Sequence, residues 1–129
     1  MKKYFHFIFV LAFLVPVSFV HAGEGFKFIS TEDLSKGIQE KNVSVVDCNS
    51  DESYKKGHIP SAVHMDVMSP DIKVLPSDKN TALVFYCKNP HCSASHDGAR
   101  FAVKQGYKNV RVYPLGIDGW VKAGMKVEP

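Results

Sequence analysis

Apolar positions along the chain follow two rhythms: short runs rich in Val, Ile, Phe and Tyr alternate with stretches whose apolar residues recur at helical spacing. The first run, Phe26-Lys-Phe-Ile29, alternates as a short strand does. Ser30-Thr-Glu-Asp33 follows with a cap-forming hydroxyl and an acid three residues on. This predicts a helix to about Glu40 with Leu34 and Ile38 on one face. Val43-Ser-Val-Val46 predicts a second strand ending at Asp47, and residues 51–56 a turn or two of helix broken by Gly57-His-Ile-Pro60. Ala62-Val-His64 reads as a third strand. The segment 65–78, with its two prolines, leaves room for a short helix at most.

Thr81 to Tyr86 is a continuous apolar run, which predicts a strand covered on both faces. A helix is expected from about Ser93 to Gln105, closed by Gly106 in a left-handed cap. Val110 to Tyr113 is a fifth strand, and Ile117 to Lys122 a last short helix carrying Trp120. Strands alternating with helices imply an α/β fold: a central, mostly parallel five-stranded sheet with helices on both faces. Sites in such folds form at the carboxyl ends of strands, where Asp47 and Cys87 both stand.

The first residues follow a different logic. Lys2 and Lys3 precede an apolar stretch from Phe5 to Val20, and Val20-His21-Ala22 offers small residues for a signal peptidase. Residues 1–22 are therefore read as a signal peptide and 23–129 as one domain. The expected location is outside the cytoplasm: the periplasm in a Gram-negative cell, secretion otherwise. The apolar run is broken by Pro16 and short of the roughly 20 residues a bilayer needs, so no stable membrane insertion is expected after processing.

Without Lys2 and Lys3, the 16 basic residues become 14 against 13 acidic ones, and the formal charge falls from +3 to +1. No basic stripe with interleaved aromatics survives, which excludes nucleic acid as the expected partner. The 3 cysteines, Cys48, Cys87 and Cys92, are an odd number for an exported chain, so at least one thiol stays free or pairs between molecules.

Cys87 carries the strongest chemical signal. It ends the most apolar strand and is followed by Lys88-Asn-Pro-His91, Cys92, and the helix-starting Ser93-Ala94-Ser95. A thiol placed between a strand end and a helix N-terminus meets backbone N–H groups and the helix dipole. Both favour the thiolate, so a lowered pKa is expected at Cys87. Cys48 follows Asp47, and strand alternation turns it away from Asp47 into the core.

The residues now in view resemble those of a rhodanese-like, single-domain sulfurtransferase. Val45-Val-Asp47 with Tyr54-Lys-Lys-Gly-His-Ile-Pro-Ser-Ala62 is similar to that family's first signature. Phe85-Tyr-Cys87 resembles the strand that delivers its cysteine. Gly106-Tyr-Lys-Asn-Val110, Leu115-Gly116, Gly119-Trp120 and Ala123-Gly124 resemble its closing segment. The loop departs from the family pattern. It is about two residues longer, Cys92 stands where Arg is expected, and Arg100 lies well inside the helix. Asn49 also replaces an Arg-like residue after the first signature. Thiosulfate is thereby a doubtful major donor, and phosphatase chemistry is argued against.

The resemblance implies sulfane-sulfur transfer with Cys87 as persulfide-forming nucleophile and the amides of residues 88 to 93 as an anion nest. Lys88 or protonated His91 can replace part of the missing charge. The implied partners are a small donor (thiosulfate, polysulfide or persulfide) and a thiol acceptor, with proteins among the candidates. Cys92 has three readings: a resolving thiol, a second persulfide carrier, or a packing residue. Asp47 either orients the loop or caps a local turn, and His91 with His96 forms a candidate acid–base pair. Cys87, His91, Cys92 and His96 can be read as a soft metal site, but the spacing lacks a tight cysteine pair, and neither metal nor cofactor is expected. The rival functions are a thiol–disulfide redox protein using Cys87 and Cys92, and a non-catalytic binding module.

Overall fold

The computed structural model describes residues 23–129; the proposed signal peptide lies outside the described residues. Five strands, β1 (Lys27–Phe28), β2 (Ser44–Asp47), β3 (Val63–His64), β4 (Leu83–Tyr86) and β5 (Val110–Val112), form one sheet. Its order is β1-β5-β4-β2-β3, with every neighbouring pair parallel. Helices α1 (Thr31–Gln39), α2 (Asp51–Lys56) and α3 (Ala94–Lys104) lie in crossovers, a 3₁₀ turn at Ile72–Val74 lies in the β3-to-β4 connection, and α4 (Gly116–Lys122) follows β5. The α/β architecture expected from the alternating pattern is the one observed.

The two faces of the sheet explain the apolar runs. Val46, Cys48, Leu83, Phe85, Cys87, Val110 and Val112 pack on one side with Ala99 and Ala102 of α3. Val45, Val84, Tyr86 and Tyr113 pack on the other with Leu34 of α1, Trp120 of α4 and Ile59. All four residues of β4 are buried, because a central parallel strand has no wet face. Each such fully buried large apolar side chain contributes about 1.5–3 kcal/mol of transfer free energy. Alternation sends Tyr86 to one face and Cys87 to the other, which separates the support of the fold from its chemistry.

Local signals set the boundaries. Ser30 Oγ accepts the Asp33 N–H at 3.1 Å and caps α1, and Ser50 Oγ does the same for Ser53 in α2. Gly106 ends α3 at φ +92. Gly98 allows α3 to settle close to the sheet, since a Cβ there would meet Phe85 Cδ1 at 2.8 Å and Cys48 Sγ at 2.9 Å.

The C-terminal segment is fastened back onto the turn after α2. His58 N–H donates to Glu128 O at 2.8 Å, Glu128 N–H returns a bond to His58 O at 2.9 Å, and Trp120 Nε1–H donates to Lys126 O at 2.8 Å. His58 serves the fold: its Nδ1 lies 2.9 Å from Tyr54 O, and its ring stacks on Tyr54.

Candidate active site

The loop after β4 is folded by its own sequence. Asn89 Oδ1 accepts the His91 N–H at 3.0 Å, and Asn89 O accepts the Cys92 N–H at 3.1 Å. Asn-Pro is well suited to such a turn, because the Asn side chain mimics a backbone acceptor and Pro90 presets its own φ. The turn brings Cys92 back over Cys87, whose Sγ donates to Cys92 O at 3.3 Å. All three cysteines are free thiols.

A second element holds the loop from behind. The first amides of a helix lack partners inside the helix. In α4, Ile117 N–H donates to Cys87 O and Asp118 N–H to Lys88 O, each at 2.9 Å. Gly116, at φ +64, makes this approach possible, because a Cβ there would meet Lys88 C at 2.4 Å and Cys87 O at 2.6 Å. The sequence reading placed Gly116 in the closing segment without seeing this contact. A glycine opening a helix was the available signal.

The first turn of α3 is divided between the two sulfurs. The Ser93 hydroxyl makes no capping bond. The Lys88 and Ala94 backbone lowers the pKa of the Cys92 thiol, and the Ser95 backbone that of the Cys87 thiol. Ser95 is buried, with Oγ 3.6 Å from Cys87 Sγ. Ala94 packs against the core cluster that contains Cys87.

This arrangement corrects the expected electrostatics. Burial first, and then the bond to Cys92, push the Cys87 thiol above its ordinary pKa, outweighing the Ser95 N–H and hydroxyl. Burial also opposes charge on Cys92, but the hydrogen bonds from Cys87 and the Lys88 and Ala94 amides outweigh it, so the Cys92 thiol lies below its ordinary value. The lowered pKa expected at Cys87 is found instead at Cys92. Cys48 is buried as expected, and desolvation raises its thiol pKa well above the usual range.

The remaining expected site residues separate. Asp47 is buried with its carboxylate fully engaged: Oδ1 accepts from Asn49 N and Nδ2 at 2.7 and 2.8 Å, and Oδ2 accepts the Tyr86 hydroxyl at 2.6 Å. Its bonds serve the turn and the sheet, not the loop. Lys88 Nζ reaches Asp118 Oδ1 at 3.1 Å in an exposed pair, which spends the charge expected to replace the missing Arg. Arg100 is committed to Glu24 and Asp97, at 2.6 and 3.1 Å. His91 and Pro90 are exposed on the loop. The His96 ring is set edge-on against Phe26, 5.5 Å between centroids, on the outer side of α3. Among the described residues neither histidine ring hydrogen-bonds to a cysteine sulfur. Tyr113 is fully buried, and its hydroxyl shares a hydrogen bond with Thr31 Oγ1. A cleft of about 390 Å³ opens at the carboxyl ends of β2 and β3, lined by Cys48, Asn49, His64 and Asp66 among others.

Comparisons with known proteins agree with this architecture. The rhodanese-like domain family matches residues 30–123. The chain is 28% identical over 95 residues to thiosulfate sulfurtransferase GlpE of Pseudomonas savastanoi, covering 74% of this chain and 87% of that one. It is also 28% identical over 102 residues to the HTH-type transcriptional regulator Rv0324 of Mycobacterium tuberculosis, covering 78% of this chain but only 44% of the relative. Among solved structures, the BH2092 protein of Bacillus halodurans superposes with a TM-score of 0.73 at 27% identity, covering 79% of this chain and 76% of that one. Human single-domain sulfurtransferase TSTD1 shares the fold, with a TM-score of 0.64 at 18% identity over 74% and 95% of the two chains. The parallel sheet, the cysteine at the end of β4 and the match over residues 30–123 lead to one conclusion: the chain belongs to the rhodanese-like domain family.

Proposed function

We propose that the protein is a sulfurtransferase that holds sulfane sulfur as a persulfide on Cys87 and passes it to a thiol acceptor. The observation that carries this reading is the position of Cys87 Sγ at the end of β4, facing the N–H and hydroxyl of Ser95 at the start of α3. A donor of the form R–S–S⁻ or thiosulfate gives its outer sulfur to a protein thiolate and leaves as a thiolate or sulfite. An acceptor thiolate then attacks the outer sulfur and regenerates the protein thiol. Among the described residues both arginines lie off the loop and the Lys88 ammonium is paired, so polysulfide or persulfide donors fit the site better than dianionic thiosulfate.

Export belongs to the same proposal, supported by Lys2, Lys3, the apolar run and Val20-His21-Ala22. Among the described residues no helix is long and apolar enough to cross a membrane. N-terminal sequencing of protein recovered from cell fractions tests it, with Gly23 expected first.

The test of function is intact-mass spectrometry of reduced protein after exposure to polysulfide or thiosulfate, beside Cys87→Ala. A gain of one sulfur retained on Cys87 supports the reading. Loss of two hydrogens with no sulfur retained favours a Cys87–Cys92 redox pair, a reading that the contact of the Cys87 thiol with Cys92 makes the main rival.

A further inference from the structure

We propose that Cys92 is the port through which sulfur enters and leaves the protein, and that Cys87 is the store behind it. This rests on the persulfide reading above and adds a direction to it. Three observations carry the inference.

Access comes first. Cys87 is 1% exposed, whereas Cys92 is only partly buried at the outer side of the loop. A donor larger than a water molecule meets Cys92 Sγ before it meets Cys87 Sγ. Charge comes second. The Cys87 thiol group is turned inward as a donor to Cys92 O, while the neighbouring backbone of Lys88 and Ala94 favours the anion of Cys92. Amides around a sulfur favour its anion, and the anion is the nucleophile. Continuity comes third: Cys87 Sγ lies 3.3 Å from the carbonyl oxygen of Cys92, so the two cysteines are neighbours across the loop. The lowered pKa of Cys92 and raised pKa of Cys87 point the same way.

The sequence of steps balances without an outside oxidant. The Cys92 thiolate attacks the outer sulfur of the donor, forming Cys92–S–S⁻ and releasing sulfite from thiosulfate or a shortened chain from polysulfide. Cys87 then gives up its proton and attacks that outer sulfur. The Cys92 S–S bond breaks, a new one forms at Cys87, and Cys92 takes the proton. The products are Cys87–S–S⁻ and Cys92–SH, so one sulfur has moved inward while one proton moved outward. Ser95 offers its N–H and hydroxyl on the Cys87 side. Release runs the same steps backwards, and the acceptor thiolate collects the sulfur at Cys92.

Trypsin cleaves after Lys79, Lys88 and Arg100, which places Cys87 in peptide 80–88 and Cys92 in peptide 89–100. Substoichiometric iodoacetamide at neutral pH is expected to label peptide 89–100 first; earlier labelling of peptide 80–88 overturns the proposal. In single-turnover loading with polysulfide, Cys92→Ser is expected to slow sulfur uptake about tenfold or more. In Cys87→Ser any sulfur taken up is expected on peptide 89–100; an absence of sulfur there overturns the port. Circular dichroism checks that both variants keep the fold. If Cys92→Ser loads at the wild-type rate, the port is overturned and the persulfide on Cys87 stands. If wild-type protein takes up no sulfur, or ends as a Cys87–Cys92 disulfide with none retained, the persulfide reading falls and the relay with it.

Discussion

The α-carbon of Gly116 lies against the carbonyl of Cys87, so close that a methyl group in the Cβ position would stand 2.6 Å from that oxygen. Residues far apart in sequence thus share one van der Waals contact, and the start of α4 becomes the back wall of the thiol loop. Backbone atoms on the far side leave nothing flexible to yield.

Gly116→Ala is therefore expected to destabilise the protein by about 1–3 kcal/mol, combining a positive φ with a backbone clash. Urea unfolding measures this as a lower midpoint at unchanged slope. The same variant is expected to slow alkylation of Cys92, because the Cys87 and Lys88 carbonyls lose their grip on α4 and the amide nest loosens.

Tyr86→Phe should separate fold from chemistry. The Tyr86 hydroxyl donates to Asp47 Oδ2 at 2.6 Å and accepts the Ile59 N–H at 3.0 Å in the core. Removing it leaves a carboxylate oxygen and an amide unpaired, at a cost of about 2–3 kcal/mol. The ring faces away from Cys87, so the pH profile of thiol alkylation should match wild type. A changed profile would show that Asp47 and Tyr86 reach the loop after all.

The thiol pair should titrate in two steps that belong to the pair as a whole. The first proton leaves mainly from Cys92, below the roughly 8.5 of a free cysteine, and the second from Cys87 above it. Reactivity toward iodoacetamide therefore persists below the ordinary thiol range and falls as pH drops through the Cys92 value. Cys87→Ala removes the hydrogen bond that favours the Cys92 thiolate, so the first step should move to higher pH. The sign for stability differs between the groups. The depressed Cys92 pKa contributes stability present above the unfolded thiol value and lost as pH falls through the folded one. The raised Cys87 and Cys48 pKa values contribute stability present below the unfolded value and lost as pH rises through the folded ones. Thiolate ultraviolet absorbance and denaturant midpoints across neutral to alkaline pH check both.

Lys88→Ala is expected to change stability by less than about 0.5 kcal/mol. The pair with Asp118 is open to solvent on both sides, and such pairs gain little over hydration. Thermal unfolding at low and moderate salt should show the same small difference.

Much of the fold was legible because its signals are local. The apolar run 81–86, the hydroxyl caps at Ser30 and Ser50 and the glycine after α3 each announce an element within a few residues. The edge strands β1 and β3 came out shorter than their apolar runs, two residues each, since an edge strand has a partner on one side only. Cys87 was legible from its strand end. The charge of the site was not, because it depends on the Asn89-to-Cys92 turn folding one sulfur over the other and on which amides then face which. Equally hidden were the Gly116 contact and the Tyr86 bond to Asp47, which join residues by packing alone and leave no periodic trace in the chain.

The clasp between Glu128 and His58 has a mechanical meaning. The C-terminal segment is tied to the turn after α2 before it reaches α4 along the chain, and Trp120 Nε1–H adds a second tie at Lys126. A pull on the tail is therefore taken up first by the clasp at His58. Only when it has peeled does tension pass, through Lys126 and Trp120, to the helix whose opening amides grip Cys87 and Lys88. The clasp acts as a strain relief, letting the tail be tugged or tethered while the sulfur loop keeps its shape.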